Sequence, residues 1–588
     1  MIIFDANISE NAYTFFNDFL KSDYTFESIN QELLNNFGLN AFFENELEFN
    51  EFKDLLVNSK QDFIKDIDRK EFGDFQTNLD LANKVALHLA NCDISPEIII
   101  EPTSGQGNFI LASLSNFKTV KKIFAIEIFK PYVWQSKFNI IDYYLSNPNS
   151  HKPEITIFHN NIFDFNINKI SKEFSNSNLL IIGNPPWVTN SKLGSISSTN
   201  LPKKSNFKNQ NGFDAITGKG NFDIAEYITL KLLDIFQNNN GNLALLVKNS
   251  LIKNLISYQR EKKFKIDKIE KYSIDSKKEF GVSVDASLLF CQLNSDPNYI
   301  CNEFDLYSLE KKNIFGWVNA KFVSNIDKYN QSFDIDGECP FEWRQGIKHD
   351  CSNIMELKRV NGHYINNQLE EIKLEEDLVY GFLKSSDLKN NLIQSTRVHT
   401  IVTQSKVGQE TSYIQQLYPK TYSYLNKNLS YFEKRKSSIY NSKPLFSIFG
   451  IGDYSFKPFK VAISGLYKTF HFTLVLPQNN KPIMLDDTCY FIGFDKIEYA
   501  VYSMILLNSK IVENFLKSIT FADAKRVFTK EVLMRLDLIK IATKISLQDI
   551  EKEISNMNIK YDLNINLANW ESYLNEMKPN NENQQTIF

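Results

Sequence analysis

Ile98-Ile-Ile-Glu101-Pro-Thr-Ser-Gly105-Gln-Gly107-Asn-Phe109-Ile-Leu-Ala-Ser-Leu114 reads as an apolar strand, a turn carrying two glycines, and the first turns of a helix. Glycines at the start of a helix let the backbone come close to a ligand, and the free N–H groups there favour polar or anionic atoms. Two glycines alone also suit an ordinary tight turn. The next apolar strand, Ile123-Phe-Ala-Ile126, ends in Glu127, twenty residues after Gly107. A carboxylate at that place can hold the two hydroxyls of a ribose, so strand, turn, helix, strand and acid together point to an adenosine-containing cofactor.

The same alternation runs on in both directions. Further strands are expected at Ile155–Phe158, Leu179–Ile182, Leu243–Val247 and Ala286–Phe290, and a helix ahead of the first strand at Asp80–Leu89. Near-continuous apolar strands separated by helices imply a mostly parallel sheet covered on both faces. Ligands of such sheets bind beyond the carboxyl ends of the strands, so the residues just after each strand carry the chemistry.

One strand end is more specific than the others: Gly183-Asn-Pro-Pro-Trp187. Two prolines cannot continue a sheet, and they rigidly aim the asparagine before them and the aromatic after them. The Asn184 side-chain oxygen and the Pro185 carbonyl can both accept from one exocyclic amine, which leaves the nitrogen lone pair free to attack an electrophilic methyl. Pro186 fixes the turn, and Trp187 offers a flat face on which a planar base can stack.

With these residues in place the chain resembles the adenine-N6 DNA methyltransferases of the Asn-Pro-Pro-aromatic group, with the cofactor motif first and target recognition last. Glu71-Phe-Gly-Asp-Phe-Gln-Thr77 is similar to that family's opening segment, Glu101 to Phe109 to its glycine motif, and Ile126-Glu127 to its acidic strand end. Gly220 to Tyr227 resembles the helix after the catalytic loop. Lys278-Glu-Phe280-Gly-Val-Ser-Val284 resembles the last motif, whose aromatic packs on the flipped base. These motifs span about residues 70 to 295. Three positions depart from the pattern. Thr77 is followed by Asn instead of Pro, Trp187 replaces the commoner Tyr or Phe, and the third-strand motif reads Asn160-Asn161-Ile-Phe-Asp164. The cofactor-amine contact there falls to Asn161 or Asp164, with Asn161 preferred on register.

The resemblance implies an α/β architecture: a Rossmann-like, class I S-adenosylmethionine-dependent methyltransferase domain with a mixed, mostly parallel seven-stranded sheet, followed by an α+β target-recognition domain. The expected division is an acidic helical extension at 1–70, the catalytic domain at 71–300, a linker at 301–335 and target recognition at 336–588. It implies S-adenosyl-L-methionine as methyl donor, held by Thr77, Glu101, Pro102, Gly105, Gly107, Glu127, Ile128, Asn161 and Asn184. It implies a flipped adenine stacked on Trp187 and sandwiched by Phe280, in double-stranded DNA. Neither a metal nor a covalent nucleophile is required.

Composition fits this reading and removes others. The chain has 588 residues and a net charge of −4, with 43% hydrophobic and 23% charged residues, which is a folded composition long enough for several domains. No uncharged apolar run reaches the roughly 18 residues a membrane span needs. The start lacks a signal-peptide pattern, and six unpatterned cysteines suit a reducing compartment, so a cytoplasmic location is expected.

The small net charge hides an asymmetry. Residues 1–71 hold 15 acidic and 6 basic side chains, a balance of −9, so the remainder carries +5. Residues 417–470 hold nine Lys/Arg against two acids, together with thirteen Phe/Tyr. Basic charge interleaved with aromatics suits phosphate contact and base stacking, although a basic face over an ordinary core has the same composition. Lys203, Lys204, Lys208 and Lys219, in the long polar loop after Trp187, are candidate phosphate clamps. Lys434, Arg435, Lys436, Lys525 and Arg526 are candidate DNA-backbone contacts.

Cys339, His349 and Cys351 fit no zinc spacing, and His88 reads as a core histidine. Residues 1–70 are too few for a fused nuclease, so DNA cleavage is expected from a separate restriction endonuclease, and a monomer is the default. The competing readings keep the catalytic motif and change the acceptor to cytosine N4 or an RNA or protein amine, or make the chain a silent DNA-binding subunit.

Overall fold

The computed structural model describes residues 2–19, 24–58, 76–167, 170, 177–188, 223–282, 284–522 and 526–578. The chain divides into two compact units, residues 1–322 and 323–588. Among the described residues no helix is long and apolar enough to cross a membrane.

The first unit opens with a short hairpin (Ile2–Ile3 with Ala6–Asn7), followed by α1 (Glu10–Phe19), α2 (Phe26–Phe37), strand β1 (Leu39–Asn40) and α3 (Glu46–Asn58). Then come α4 (Leu79–Asn91), β2 (Ile98–Glu101), α5 (Asn108–Asn116), β3 (Lys122–Glu127), α6 (Lys130–Ser146), β4 (Glu154–His159) and β5 (Leu179–Gly183). The second half holds α7 (Ile224–Phe236), β6 (Gly241–Lys248), α8 (Asn249–Lys262), β7 (Ile266–Ser273), α9 (Ser276–Phe280) and β8 (Ala286–Leu293).

The central sheet runs β7-β8-β6-β5-β2-β3-β4, with β4 through β6 mutually parallel and β8 antiparallel to both neighbours. These seven are the middle strands of an eleven-stranded sheet among the described residues, in the mostly parallel order that the motifs imply. Every residue of β2 and β5 is buried, as the apolar runs require of strands covered on both faces. The order reverses between β2 and β5, so Glu101 and Asn184 follow adjacent strand ends at the switch point where open α/β sheets bind ligands.

Both flanks of this sheet differ from the expected division. The N-terminal segment is built into the first unit: β1 pairs in parallel with β4 (Leu39 with Ile155), and Phe16, Phe42, Phe43 and Phe52 are buried. Among the described acids of this segment Glu10, Asp18, Glu27 and Glu46 are exposed on its helices, whereas Glu48 is buried. The segment expected as a linker begins as sheet. β9 (Ile300–Asp305) pairs in parallel with β7 and antiparallel with β10 (Lys311–Val318), so residues 300–318 cover what would otherwise be an open edge.

The second unit is α+β, as expected. One sheet of six strands includes Glu356–Val360, Val379–Leu383 and Val398–Ile401; another of five includes Phe459–Ser464 and Cys489–Phe494. Helices including Ile497–Leu507 and Lys510–Ile519 complete it. The aromatic residues of 417–470 are largely spent on this interior: Tyr424, Phe432 and Phe446 are buried in one core.

One of the basic residues is spent there too. Lys460 is fully buried, with Nζ donating to the Lys457 carbonyl at 2.7 Å, and burial lowers its pKa from 10.5 to about 7. Unfolded chain holds the proton up to the higher value. Stability therefore rises with pH between the two values, is complete above the higher, and is lost as pH falls toward 7. The slope is at most about 1.4 kcal/mol per pH unit. Lys460→Met is expected to melt higher than wild type at pH 7 and to lose this slope. Thermal melts of both proteins at pH 7, 8 and 9 check it; parallel pH profiles would contradict it.

Candidate active site

The glycine turn leaves β2 after Glu101 with Gly105 at φ +54° and Gly107 at φ +81°, both in the left-handed region that favours glycine. A side chain at either would also collide: with the end of Gln76 at Gly105, and with Ser136 of α6 at Gly107. Gln76 Oε1 accepts the Gln106 N–H at 3.2 Å, so it grips the turn between the two glycines. From β3, Glu127 accepts the Gly105 N–H at 2.7 Å and the Phe129 N–H at 2.8 Å. The acid thus ties the glycine turn to the end of β3 while also lining the cavity in front of it.

At the end of β5, Asn184 Nδ2 donates to Thr77 Oγ1 at 3.1 Å, and the Asn184 carbonyl accepts from Thr103 Oγ1 at 3.3 Å. With the amide nitrogen turned to Thr77, Oδ1 is the side-chain atom that Asn184 has to offer an amine. Thr77 is itself placed by Asn108 Nδ2, which donates to its carbonyl at 2.8 Å. The asparagine that follows Thr77 in place of proline has two uses that proline lacks. Asn78 Oδ1 caps α4 by accepting the Leu81 N–H at 2.7 Å, and Nδ2 donates to Glu279 at 3.0 Å.

One cavity gathers Thr77, Glu101, Pro102, Gly105, Glu127, Ile128, Asn161, Asn184, Pro185 and Pro186. Gly107, Trp187 and Phe280 are not on its wall. Of the two third-strand candidates the cavity takes Asn161 and not Asp164. Asn161 Oδ1 accepts the Phe163 N–H at 3.0 Å, and Lys231 of α7 donates to the carbonyls of Ile162 and Phe163 at 2.7 and 2.9 Å. Sequence reasoning missed Gln76, Ser104, Asn108, Phe129, Tyr132 and Phe163. The last three had a signal, since each is an aromatic within five residues of a strand end already singled out.

Trp187 is buried, and its ring N–H donates to the Leu246 carbonyl at 3.2 Å. Phe280 stands against it edge to face, with centroids 4.9 Å apart and planes at 70°. Two rings in direct contact prefer the edge-to-face arrangement, and a base entering between them requires Phe280, on the short helix α9, to swing aside.

The electrostatics of the cavity are dominated by two carboxyls. Glu101 is fully buried, and burial first, then the charge of Glu127, push its pKa well above the ordinary carboxylate value. Glu101 Oε2 and Ser104 Oγ are buried without a hydrogen-bond partner among the described residues. Such atoms cost free energy unless a ligand satisfies them.

The candidate DNA contacts fare unevenly. Lys203, Lys204, Lys208, Lys219 and Lys525 lie outside the described residues, as do Glu71 to Phe75 of the opening motif. Just inside that gap, the Ile224 N–H donates to the Val188 carbonyl at 2.9 Å and Lys248 pairs with Asp223 at 2.5 Å. Lys434 and Lys436 are exposed. Arg435 instead serves the interior, donating to the Ser447 carbonyl at 2.6 Å and lying 3.7 Å from the Tyr440 ring centroid. Arg526 donates to the Asp487 carbonyl at 3.1 Å. Both are half-buried, so part of each side chain is committed to the protein's own carbonyls.

No protein-family model matches the chain. It is 40% identical to the type II methyltransferase M.NspV of Nostoc sp. over 470 residues, which are 80% of this chain and 96% of that protein. Among solved structures it resembles the type IIL restriction-modification enzyme MmeI in complex with DNA, at 13% identity over 84% of this chain and 73% of that one, with a TM-score of 0.49. The type IIG restriction endonuclease BpuSI is likewise 13% identical, over 85% and 64% of the two chains, with a TM-score of 0.34. Similarity at those scores carries no weight, and the assignment rests on the Nostoc protein. Matched over nearly the whole of that relative, the chain belongs to the type II methyltransferase family.

Proposed function

We propose that this methyltransferase acts on duplex DNA, transferring a methyl group from S-adenosylmethionine to the N6 amine of a flipped-out adenine as the modification component of a restriction-modification system. The observation that carries the reading is Asn184, held by Thr77 on the wall of the cavity that also contains the glycine turn and Glu127. The cavity suits that donor: two carboxyls favour a cationic ligand, and the buried Glu101 Oε2 and Ser104 Oγ await hydrogen-bond donors. Glu127, Ile128 and Asn161 would hold the adenosine, with Glu101, Gly105 and Thr77 toward the rest. When bound, S-adenosylmethionine supplies an electrophilic methyl on a positively charged sulfur. Asn184 Oδ1 and the Pro185 carbonyl accept both amine protons of the target, so its lone pair points at the methyl. The amine sheds a proton after attack, and no strong base is needed. Trp187 and a displaced Phe280 stack on the base, offsetting the few kcal/mol that unstacking costs.

Single-molecule sequencing of DNA from a methylation-deficient host expressing the chain tests this reading. One recurring motif with modified adenine is expected. Modified cytosine would move the acceptor to N4, and wholly unmodified DNA would remove DNA as the substrate of the chain acting alone.

The raised pKa of Glu101 yields a second expectation. A proton on the free protein's Glu101 competes with a cationic ligand, so affinity for S-adenosylmethionine rises with pH until that group is ionised and is then flat. Glu101→Gln is expected to bind about 10- to 100-fold more weakly at pH 8, the size of one charge-assisted hydrogen bond, and without this dependence. Calorimetric titrations from pH 6 to 8.5 decide it, since any titration of the ligand is common to both proteins. The same pH profile in both would rule Glu101 out as the cause.

A further inference from the structure

We propose that the N-terminal segment, in its described residues 2–19 and 24–58, is a working part of the cofactor site. Acting through Gln135 and Asn139 of α6, it sets the position of the glycine turn and thereby the affinity for the methyl donor. The proposal rests on reading the cavity as the S-adenosylmethionine site.

A continuous line of hydrogen bonds carries it. The Asn7 backbone is gripped at both ends by one side chain: its N–H donates to Gln135 Oε1 at 2.8 Å, and its carbonyl accepts from Gln135 Nε2 at 3.0 Å. The same Nε2 donates to Asn139 Oδ1, one helical turn on, at 2.9 Å. Asn139 Nδ2 then donates to the carbonyl of Gln106 at 2.9 Å. Gln106 lies between the two glycines, so the line ends on the residue next to Gly105, which lines the cavity. Because Gln135 and Asn139 orient each other, loss of the first link frees the second to rotate.

Packing points the same way. α6 lies between the N-terminal segment and the glycine turn. On one side Trp134 is buried against Phe4 and Phe42, with centroids 4.6 and 5.4 Å apart, and Lys137 Nζ donates to the Phe42 carbonyl at 2.6 Å. On the other, Ser136 occupies the space a side chain at Gly107 would need, and Tyr132 lines the cavity. A helix clamped on both sides transmits displacement from one to the other, because a close-packed interior has no slack to absorb it.

The test uses the full chain and S-adenosylmethionine, with Kd from titration and kcat at saturating donor. Asn139→Asp keeps the acceptor for Gln135 and loses the donor to Gln106. Asn139→Leu loses both, and Gln135→Met cuts the line one step earlier. Both side chains, Gln135 and Asn139, are half-buried, and the three variants are expected to leave the melting temperature within a few degrees. Kd should rise about 5- to 30-fold for either Asn139 variant and about 3- to 10-fold for Gln135→Met, with kcat within twofold of wild type. The Gln135→Met/Asn139→Leu double variant should be no worse than Asn139→Leu alone, as for links in series. Wild-type Kd in the Asn139 variants, or a fully additive double variant, would overturn the proposal. A wild-type chain that does not bind S-adenosylmethionine would overturn the reading of the cavity itself, a result visible before any variant is made.

Discussion

Asn184→Ala is expected to lower methyl transfer by about 10²- to 10³-fold, the cost of removing one preorganised polar group from a reacting centre, while S-adenosylmethionine and DNA bind nearly as in wild type. The side chain has one oxygen to offer the target amine, and its nitrogen is turned away to Thr77 Oγ1 at 3.1 Å. Without Oδ1 the amine keeps one proton unaccepted, and its lone pair stays conjugated with the ring instead of aimed at the methyl. The neighbouring prolines keep the turn in place, so the loss is chemical and not architectural. Thr77→Val is the milder companion. It removes the acceptor that orients Asn184 but leaves Oδ1 present, so a loss of roughly tenfold is expected, about 1.4 kcal/mol. Single-turnover rates with saturating donor and DNA separate these effects from binding. If Asn184→Ala transferred methyl groups at the wild-type rate, the catalytic role would belong to another residue.

How much of this could be read beforehand depended on whether the signal was local. Six core strands announced themselves as mostly apolar runs; five are buried along nearly their whole length, and in β4 buried and half-buried residues alternate. β7 did not. Its buried residues, Ile266, Ile269 and Tyr272, fall three apart because Lys268 sits at φ 44° beside a register shift, where Asp267 to Glu270 opposes only Phe290 to Gln292. A bulge turns a period of two into what looks like one face of a helix. The cavity was legible where a strand end met a motif, as at Glu101, Glu127 and Asn184. Gln76, Asn108 and Lys231 were not, since their roles depend on backbone groups brought together from 30 to 69 positions away. The basic, aromatic stretch of the second unit stayed ambiguous for a different reason. Composition counts side chains without saying which of them the fold turns inward, and Lys460 and Phe446 are both fully or almost fully buried.

Gly107 is the position where a single methyl group should do the most damage. Ala at φ +81° carries about 1–2 kcal/mol of left-handed strain. Its Cβ would also overlap the Ser136 hydroxyl and stand 3.0 Å from Ser136 Cβ. Ser136 is fully buried on the packed helix α6, and the overlap adds about 1–3 kcal/mol of overpacking. Together these shift the glycine turn, so Gly107→Ala should bind S-adenosylmethionine at least 100-fold more weakly and melt several degrees lower. The two causes can be separated. Ser136→Gly opens the space but leaves the strain, so Gly107→Ala/Ser136→Gly should recover part of the affinity and never all of it. Gly281→Ala carries the strain alone, since its φ is +68° with nothing within 4 Å of the added carbon, and it should lower the melting temperature only slightly. Cofactor titration and melting of the four proteins decide the matter. If Gly107→Ala bound the donor as Gly281→Ala does, the contact between the glycine turn and α6 would be incidental to the site.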